Sequence, residues 1–336
     1  MTQAYALYRL PGEREYTEVR QLGGGVQKET TFEALSVHQG FVIAPFSISE
    51  ECPLLIINPE VCVRHSVPEC NVSNCYKGDF SKDKESYISN FNDFHTRLLD
   101  GTFRKIVLSR KSEVTRYGEY SDEEIFFKAC RMYPDQFVAL VSTPYSGTWL
   151  MATPEILLEG DGSLWHTMAL AGTMRNEPDA TWNDKNKREQ KYVGDYIGNI
   201  LKQFTDSVSV KGPYTVRAGG LVHLRSDFSF SLKSSSDIGK LIDMLHPTPA
   251  VCGLPKKEAL SYILSSEHSE RLYYSGFTGI LDTKGNTHLF VSLRCMKMTQ
   301  NRYSLYAGGG LLDASTAEKE WLETEAKMET MKKCLI

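Results

Sequence analysis

GFTGILDTKGNTHLFVSLRCMKMTQNRYSLYAGGGLLDASTAEKEWLETEAKMETMKK (276–333) holds three strand-like runs and then one helix-like run. GFTGILD (276–282), THLFVSLRCMKM (287–298) and RYSLYAG (302–308) are rich in β-branched and aromatic residues and are separated by turn-forming Gly, Asn and Thr. From about Thr316 to Lys333 the residues Ala317, Trp321, Thr324, Met328 and Met331 recur at helical period as one apolar stripe. Strands joined by short turns and followed by a long helix predict an α+β fold, not an alternating parallel α/β chain.

The rest of the chain repeats this grammar. Residues 1–80, with FVIAPFSI (41–48) and PLLIINP (53–59), read as a β-meander. Helices are predicted over 83–100, 121–132, 236–244 and 256–264, with a long one from near Asp179 to about Phe204. Strands are predicted over 103–114, 137–143, 147–153, 155–160, 164–170, 213–217 and 221–231. No stretch rich in Gly, Pro or Ser divides the chain, so residues 1–336 are expected to form one domain.

Composition sets limits on partners. The 336 residues carry 38 basic and 42 acidic side chains, a net charge of -4, which leaves no basic excess for nucleic acid. No apolar run reaches 18 residues, so no membrane helix is expected. The opening MTQAYALYRLPGERE is too polar for a signal peptide, and the Asn71-Val72-Ser73 pattern therefore carries no weight as a glycosylation site. The eight cysteines are scattered without a CxxC pair. Reduced, mostly buried thiols in a cytoplasmic protein are the expectation.

Several charges sit where apolar residues belong. Glu189 falls three, four, seven and eleven residues before members of the face Tyr192, Val193, Tyr196, Ile197, Ile200, Leu201 and Phe204, and so points toward the core. It is a metal- or lysine-bound carboxylate, or a frayed helix start. Glu320, Glu323 and Lys327 form a second stripe at the edge of the core on the last helix. They suit a divalent metal plus an anion, or a simple surface pair worth about 0.2–0.5 kcal/mol. Gly308, Gly309 and Gly310 form either a turn or an anion-binding nest. Lys105 lies inside a strand as an edge gatekeeper or a functional amine. Glu155 enters an apolar strand, and LHPTPAVCGLP (245–255) is a proline-set loop of the kind that lines pockets.

In order, KIVLSR (105–110), TPEILLE (153–159), ALAGT (169–173), KNKREQ (185–190), LVHLRSDF (221–228), LHPTPAVCGLP, ERLYYSGFTG (270–279), VSLRCMKM (291–298) and GGGLLDASTAEKEWLETEAK (308–327) resemble the chorismate-binding enzymes. These are the isochorismate, salicylate, anthranilate and aminodeoxychorismate synthases. The likeness covers about 80–333; the first 80 residues match only in general character. It implies one large domain of two packed antiparallel β-sheets with helices outside, a deep cleft, chorismate as substrate and Mg2+ as cofactor.

Position by position, the resemblance implies Lys105 as the base that activates water and Glu155 as the acid that protonates the departing hydroxyl. Burial would favour the neutral form of each. Glu189 and Glu323 are the implied Mg2+ ligands, with Glu320 beside the metal. Arg294, Lys327 and the Gly308–Gly310 backbone are the implied grip on the substrate carboxylates. His223, Thr248, Ala250 and Tyr274 match further pocket positions, and Gly172 and Thr173 match the loop beside the ring.

Lys105 stands where ammonia-using anthranilate makers have glutamine, and Ala171 where aminodeoxychorismate synthases have a nucleophilic lysine. The chain therefore resembles a water-using member. The expected activity is isochorismate synthase, serving menaquinone or catechol siderophores. Salicylate synthase and a non-catalytic relative are the alternatives. A monomer without an obligate protein partner is expected. The chain departs from the family pattern at Gln190, where His is usual, at Cys252, where Gly is usual, and in a shorter segment between Thr173 and Glu189.

Overall fold

The computed structural model describes residues 4–176, 181–218 and 220–336. The chain begins with strands β1 (Ala4–Arg9), β2 (Glu15–Gln21), β3 (Gln27–Glu29), β4 (Gln39–Ala44), β5 (Leu54–Ile57), β6 (Val61–Ser66) and β7 (Tyr76–Lys77). Helix α1 (Lys84–Leu99), β8 (Lys105–Arg116), α2 (Asp122–Met132), β9 (Phe137–Thr143), β10 (Gly147–Thr153), β11 (Ile156–Gly160), β12 (Trp165–Arg175) and α3 (Asp184–Leu201) follow. Next come β13 (Val208–Ala218), β14 (Leu221–Phe230), α4 (Ile238–Leu245), β15 (Gly253–Leu254), α5 (Lys256–Ser266), β16 (Phe277–Asp282), β17 (Thr287–Val291), β18 (Cys295–Met298), β19 (Arg302–Leu311) and α6 (Ala317–Lys332).

Two antiparallel sheets result. The first runs β15-β8-β19-β18-β10-β9-β1-β2-β6, with β7 also on β8; the second runs β13-β14-β12-β11-β17-β16-β4-β5-β3. They face each other across an apolar layer that includes Phe41, Ile43, Phe137, Trp149, Phe290 and Tyr306. Phe137 of the first sheet and Phe290 of the second stack at 4.3 Å with ring planes 4° apart. Helices α3 and α4 cover the outer face of the second sheet through Val193, Ile197, Leu241 and Ile242. On the other side, α2, α1, α5 and part of α6 cover the first sheet through Phe126, Phe91, Ala259, Trp321 and Met328.

Local chemistry accounts for the helix starts. Ser121 and Glu124 make a reciprocal capping box at α2. The Asn183 side chain accepts from Asn186 N and starts α3 at Asp184. Asp179, the sequence-predicted start of that helix, lies outside the described residues.

Three expectations need correction. Residues 1–80 are not one meander: β1, β2, β6 and β7 join the first sheet, whereas β3, β4 and β5 join the second. The run 287–298 is two strands, because the chain leaves the second sheet after Val291 and enters the first at Cys295. Gly308–Gly310 are neither turn nor nest. They continue β19 opposite Ser109, Leu108 and Val107 of β8.

The eight cysteines are free thiols, six of them buried. Among the described residues no helix is long and apolar enough to cross a membrane.

Candidate active site

The site forms where the chain passes twice, side by side, between the two sheets. Pro154 and Glu155 link β10 of the first sheet to β11 of the second; Ser292, Leu293 and Arg294 link β17 of the second to β18 of the first. Val291 N donates to Glu155 O over 2.9 Å and ties the crossings together. Arg294 has φ 45°, a left-handed conformation that L side chains avoid, and it turns the chain sharply between sheets.

A cavity opens at this seam. Its wall includes Glu155, Gly172, Thr173, Glu189, His223, Ala250, Tyr274, Arg294, Gly308, Gly310 and Lys327. Lys105 and Thr248 are buried but lie off that wall, as does Gly309. Glu320 and Glu323 line a neighbouring depression that shares Thr173 with the cavity. The residues singled out in the sequence thus gather in one region, with Lys105 under the floor and Thr248 set back.

Glu155 is 3 % exposed. Burial pushes its carboxyl up to about 8, against the opposing charges of Lys105, Lys327 and Arg294. Lys105 is fully buried. It is no edge gatekeeper, because Leu254 of β15 pairs with it and covers that edge. Its ammonium lies 3.0 Å from Glu189 Oε1, in ion-pair range but without a well-directed hydrogen bond.

Two more lysines partner the other carboxylates. Lys185 Nζ donates to Glu320 Oε1 over 2.6 Å, and Lys327 Nζ lies 2.7 Å from Glu323 Oε1 while donating to Gly308 O at 2.8 Å. Burial and the neighbouring Glu323 charge raise Glu320; Lys185 opposes them. Burial works upward on Glu323 too, but Lys327, Lys185 and Arg294 outweigh it and hold the carboxyl below its ordinary value.

The opposite wall is uncharged at its centre. His223 accepts at Nε2 from Arg294 Nη2, 3.2 Å away. Its Nδ1 faces the Gly172 carbonyl at 3.3 Å and the Thr173 hydroxyl at 3.2 Å. Burial, then the Arg294 and Lys327 charges, push its pKa well below the usual histidine value, so the ring is neutral.

The acidic set suits a divalent cation by chemistry. Glu320 Oε2 is buried with no hydrogen-bond partner. A side chain on Gly309 would meet that oxygen at 3.1 Å and Glu323 Oε1 at 3.6 Å; one on Gly310 would overlap Glu189 Oε1. The glycines leave their side-chain space to the three carboxylates. Among the described residues no three acidic, His or Cys side chains already stand at metal-ligand spacing. Each glutamate has a lysine instead. Mg2+ needs only one or two protein carboxylates beside water and substrate oxygens, so it does not require a closed protein cage.

Sequence reasoning missed three contributors. Lys185, in the first turn of α3, reads as a surface lysine until α6 packs across it. Gln190 was visible only as a departure from pattern; its buried amide bonds to β12. Arg271 donates to Val251 O at 2.6 Å, to Val107 O at 2.8 Å and to both oxygens of Glu267, whose Oε1 also accepts from Ser109 N. This buried pair fastens the 245–255 loop to β8. Its signal was the i,i+4 spacing of Glu267 and Arg271.

Residues 63–336 match the family model described as chorismate binding enzyme. The isochorismate synthase DhbC of Bacillus subtilis (strain 168) is 30% identical over 285 residues, 80% of this chain and 72% of that protein. The isochorismate synthase EntC of Escherichia coli (strain K12) is 29% identical over 238 residues, 68% of this chain; the match spans 61% of EntC. Among solved structures, MenF, the menaquinone-specific isochorismate synthase from Escherichia coli, superposes with a TM-score of 0.84 at 21% identity, covering 100% of this chain and 89% of that one. Anthranilate synthase component I from Streptococcus pneumoniae TIGR4 gives 0.76 at 16% identity, covering 98% and 90%. These two superpositions establish a shared fold.

Proposed function

Because the chain belongs to the chorismate-binding enzyme family, we propose that it is an isochorismate synthase. It would act as an isomerase that adds water at ring carbon 2 of chorismate and releases the hydroxyl from carbon 4. The observation that carries this reading is Glu155, a buried carboxyl raised to about 8 on the cavity wall, with the buried Lys105 near enough for its charge to oppose that rise. A carboxyl with that pKa holds its proton at neutral pH and can donate it.

In this reaction Lys105 takes a proton from water as the new carbon 2–oxygen bond forms. The two conjugated ring double bonds shift along the ring, and the carbon 4–oxygen bond breaks. Glu155 gives its proton to the departing oxygen, which leaves as water, so atoms and charge balance. Lys105 must be free of its proton before it acts, which requires its 3.0 Å pairing with Glu189 to be released first. Arg294 and Lys327 would hold substrate carboxylates, with the neutral His223 keeping the Arg294 fork in plane. Glu189 and Glu323 would hold Mg2+, with Glu320 beside it; when bound, the cation offsets the charge of a dianionic substrate among carboxylates.

The relatives named above support water as nucleophile, as do Lys105 and Ala171 at the two positions where the resemblance separates the family's chemistries. Eight free thiols suit a reducing compartment, and we place the reaction in the cytoplasm. The test is the purified protein with chorismate and Mg2+, no ammonia, and products resolved by chromatography. Isochorismate is the expected product. Salicylate with pyruvate would replace the reading with salicylate synthase, and absence of turnover would overturn it.

A further inference from the structure

Strand β12 is paired with β14 along one edge, but on its other edge the ladder with β11 reaches only Trp165 and His166. Beyond that point the Ala169 carbonyl and the Ala171 N–H face the same open side. One residue of a parallel neighbouring strand would meet that spacing with its own N–H and carbonyl. Among the described residues no strand lies there. Gln190 of α3, 3 % exposed, fills the place: its Nε2 donates to Ala169 O at 3.0 Å, and its Oε1 accepts from Ala171 N at 2.9 Å. The second Nε2 hydrogen goes to Ser226 Oγ of β14 at 3.2 Å.

The next residue breaks the ladder. The register of β12 against β14 slips between Ala171 and Thr173, and Gly172 between them has φ +74°, a conformation that favours glycine. A side chain there would also press on Asn186 O at 3.1 Å. This bulge presents the Gly172 carbonyl and the Thr173 hydroxyl to His223 Nδ1. A bulge beside an unpaired edge has nothing in its own strand to hold its angle.

We propose that Gln190 is a positioning residue, its carboxamide standing in for one residue of an absent strand and fixing Ala169 and Ala171 so that the bulge holds Thr173 and His223 on the cavity wall. The catalytic part of this role rests on reading the cavity as the chorismate site.

The variant Gln190→Met keeps the length and loses both polar atoms. Amide hydrogen exchange across 169–173 should quicken at least about tenfold, since Ala171 N–H loses the Gln190 acceptor. KM for chorismate should rise about tenfold with kcat within about threefold of the parent. KM does not depend on the fraction of protein that is active, so poor folding cannot imitate this split. Ser226→Ala, which removes one of the three bonds, should raise KM in the same direction by about threefold. A KM within twofold of the parent in Gln190→Met, or a fall in kcat larger than the rise in KM, overturns the proposal. If the parent protein does not turn chorismate over, the functional reading fails by itself. The exchange measurement then decides the clamp, and unchanged exchange in Gln190→Met overturns it.

Discussion

Arg294 Nη2 donates to His223 Nε2 across 3.2 Å, and that single contact fixes the imidazole as the neutral Nδ1–H form. The proton on Nδ1 then serves Gly172 O, and Arg294 stands on the cavity wall. A lysine at 294 would keep the charge but lose the fork. Arg294→Lys should therefore cost about 2–5 kcal/mol of transition-state binding, a loss of roughly 30-fold or more in kcat/KM. Steady-state kinetics on chorismate measures this.

The raised carboxyl of Glu155 sets a pH limit. Its folded value of about 8 means that the proton is present below that pH and lost above it, so kcat/KM should fall as pH rises through about 8. Glu155→Gln should reduce kcat about 10²- to 10⁴-fold. A pH–rate profile flat from 7 to 9.5 would remove Glu155 as the acid.

Lys105→Gln should abolish water addition while Mg2+-dependent chorismate binding survives. Calorimetric titration of the variant with chorismate, with and without Mg2+, separates the two effects. Full turnover in this variant would rule Lys105 out as the base.

The faces of α6 differ in what they should do to the cation. Glu323→Gln should weaken Mg2+ dependence far more than Glu318→Gln, because Glu318 is exposed and pairs with Lys84 on the surface. Half-saturating Mg2+ in the turnover assay reports this. Equal responses would mean that α6 has no metal face.

Gly310→Ala places a methyl group over Glu189 Oε1 and 2.9 Å from Lys105 Cε. Overpacking of this kind costs about 1–3 kcal/mol and should lower the denaturation midpoint modestly. Displacing Glu189 should cost activity and Mg2+ affinity beyond what the stability loss explains. Denaturant titration set beside kinetics on the folded variant tests the difference.

Hydrophobic period made much of this architecture readable. The α6 stripe, the strands 137–143 and 147–153, and α2 all declare themselves within about fifteen residues. Strand partners do not, since alternation says that β4 has two faces and nothing about which sheet receives it. The break at Ser292–Arg294 was hidden for a related reason. Arg294 gives no local sign of left-handed backbone, and the apolar run reads straight through it. The glycine triplet misled because glycine usually marks turns; here β8 supplies the pairing and the glutamates occupy the vacated space. Glu189, Glu320 and Glu323 were legible as misplaced charge, and Lys327 as the i,i+4 neighbour of Glu323; Lys105 and Lys185 were not legible as partners, because their pairs join elements distant in sequence.

The double crossing at Glu155 and Arg294 also says where such a chain has freedom to drift. Neither half of the sandwich owns the reacting centre, so neither can be inherited, exchanged or trimmed alone without tearing the hinge on which both acid and guanidinium ride. Tolerance belongs to remote exposed turns such as residues 22–25 and 161–164, where length and composition can wander while the hinge stays fixed.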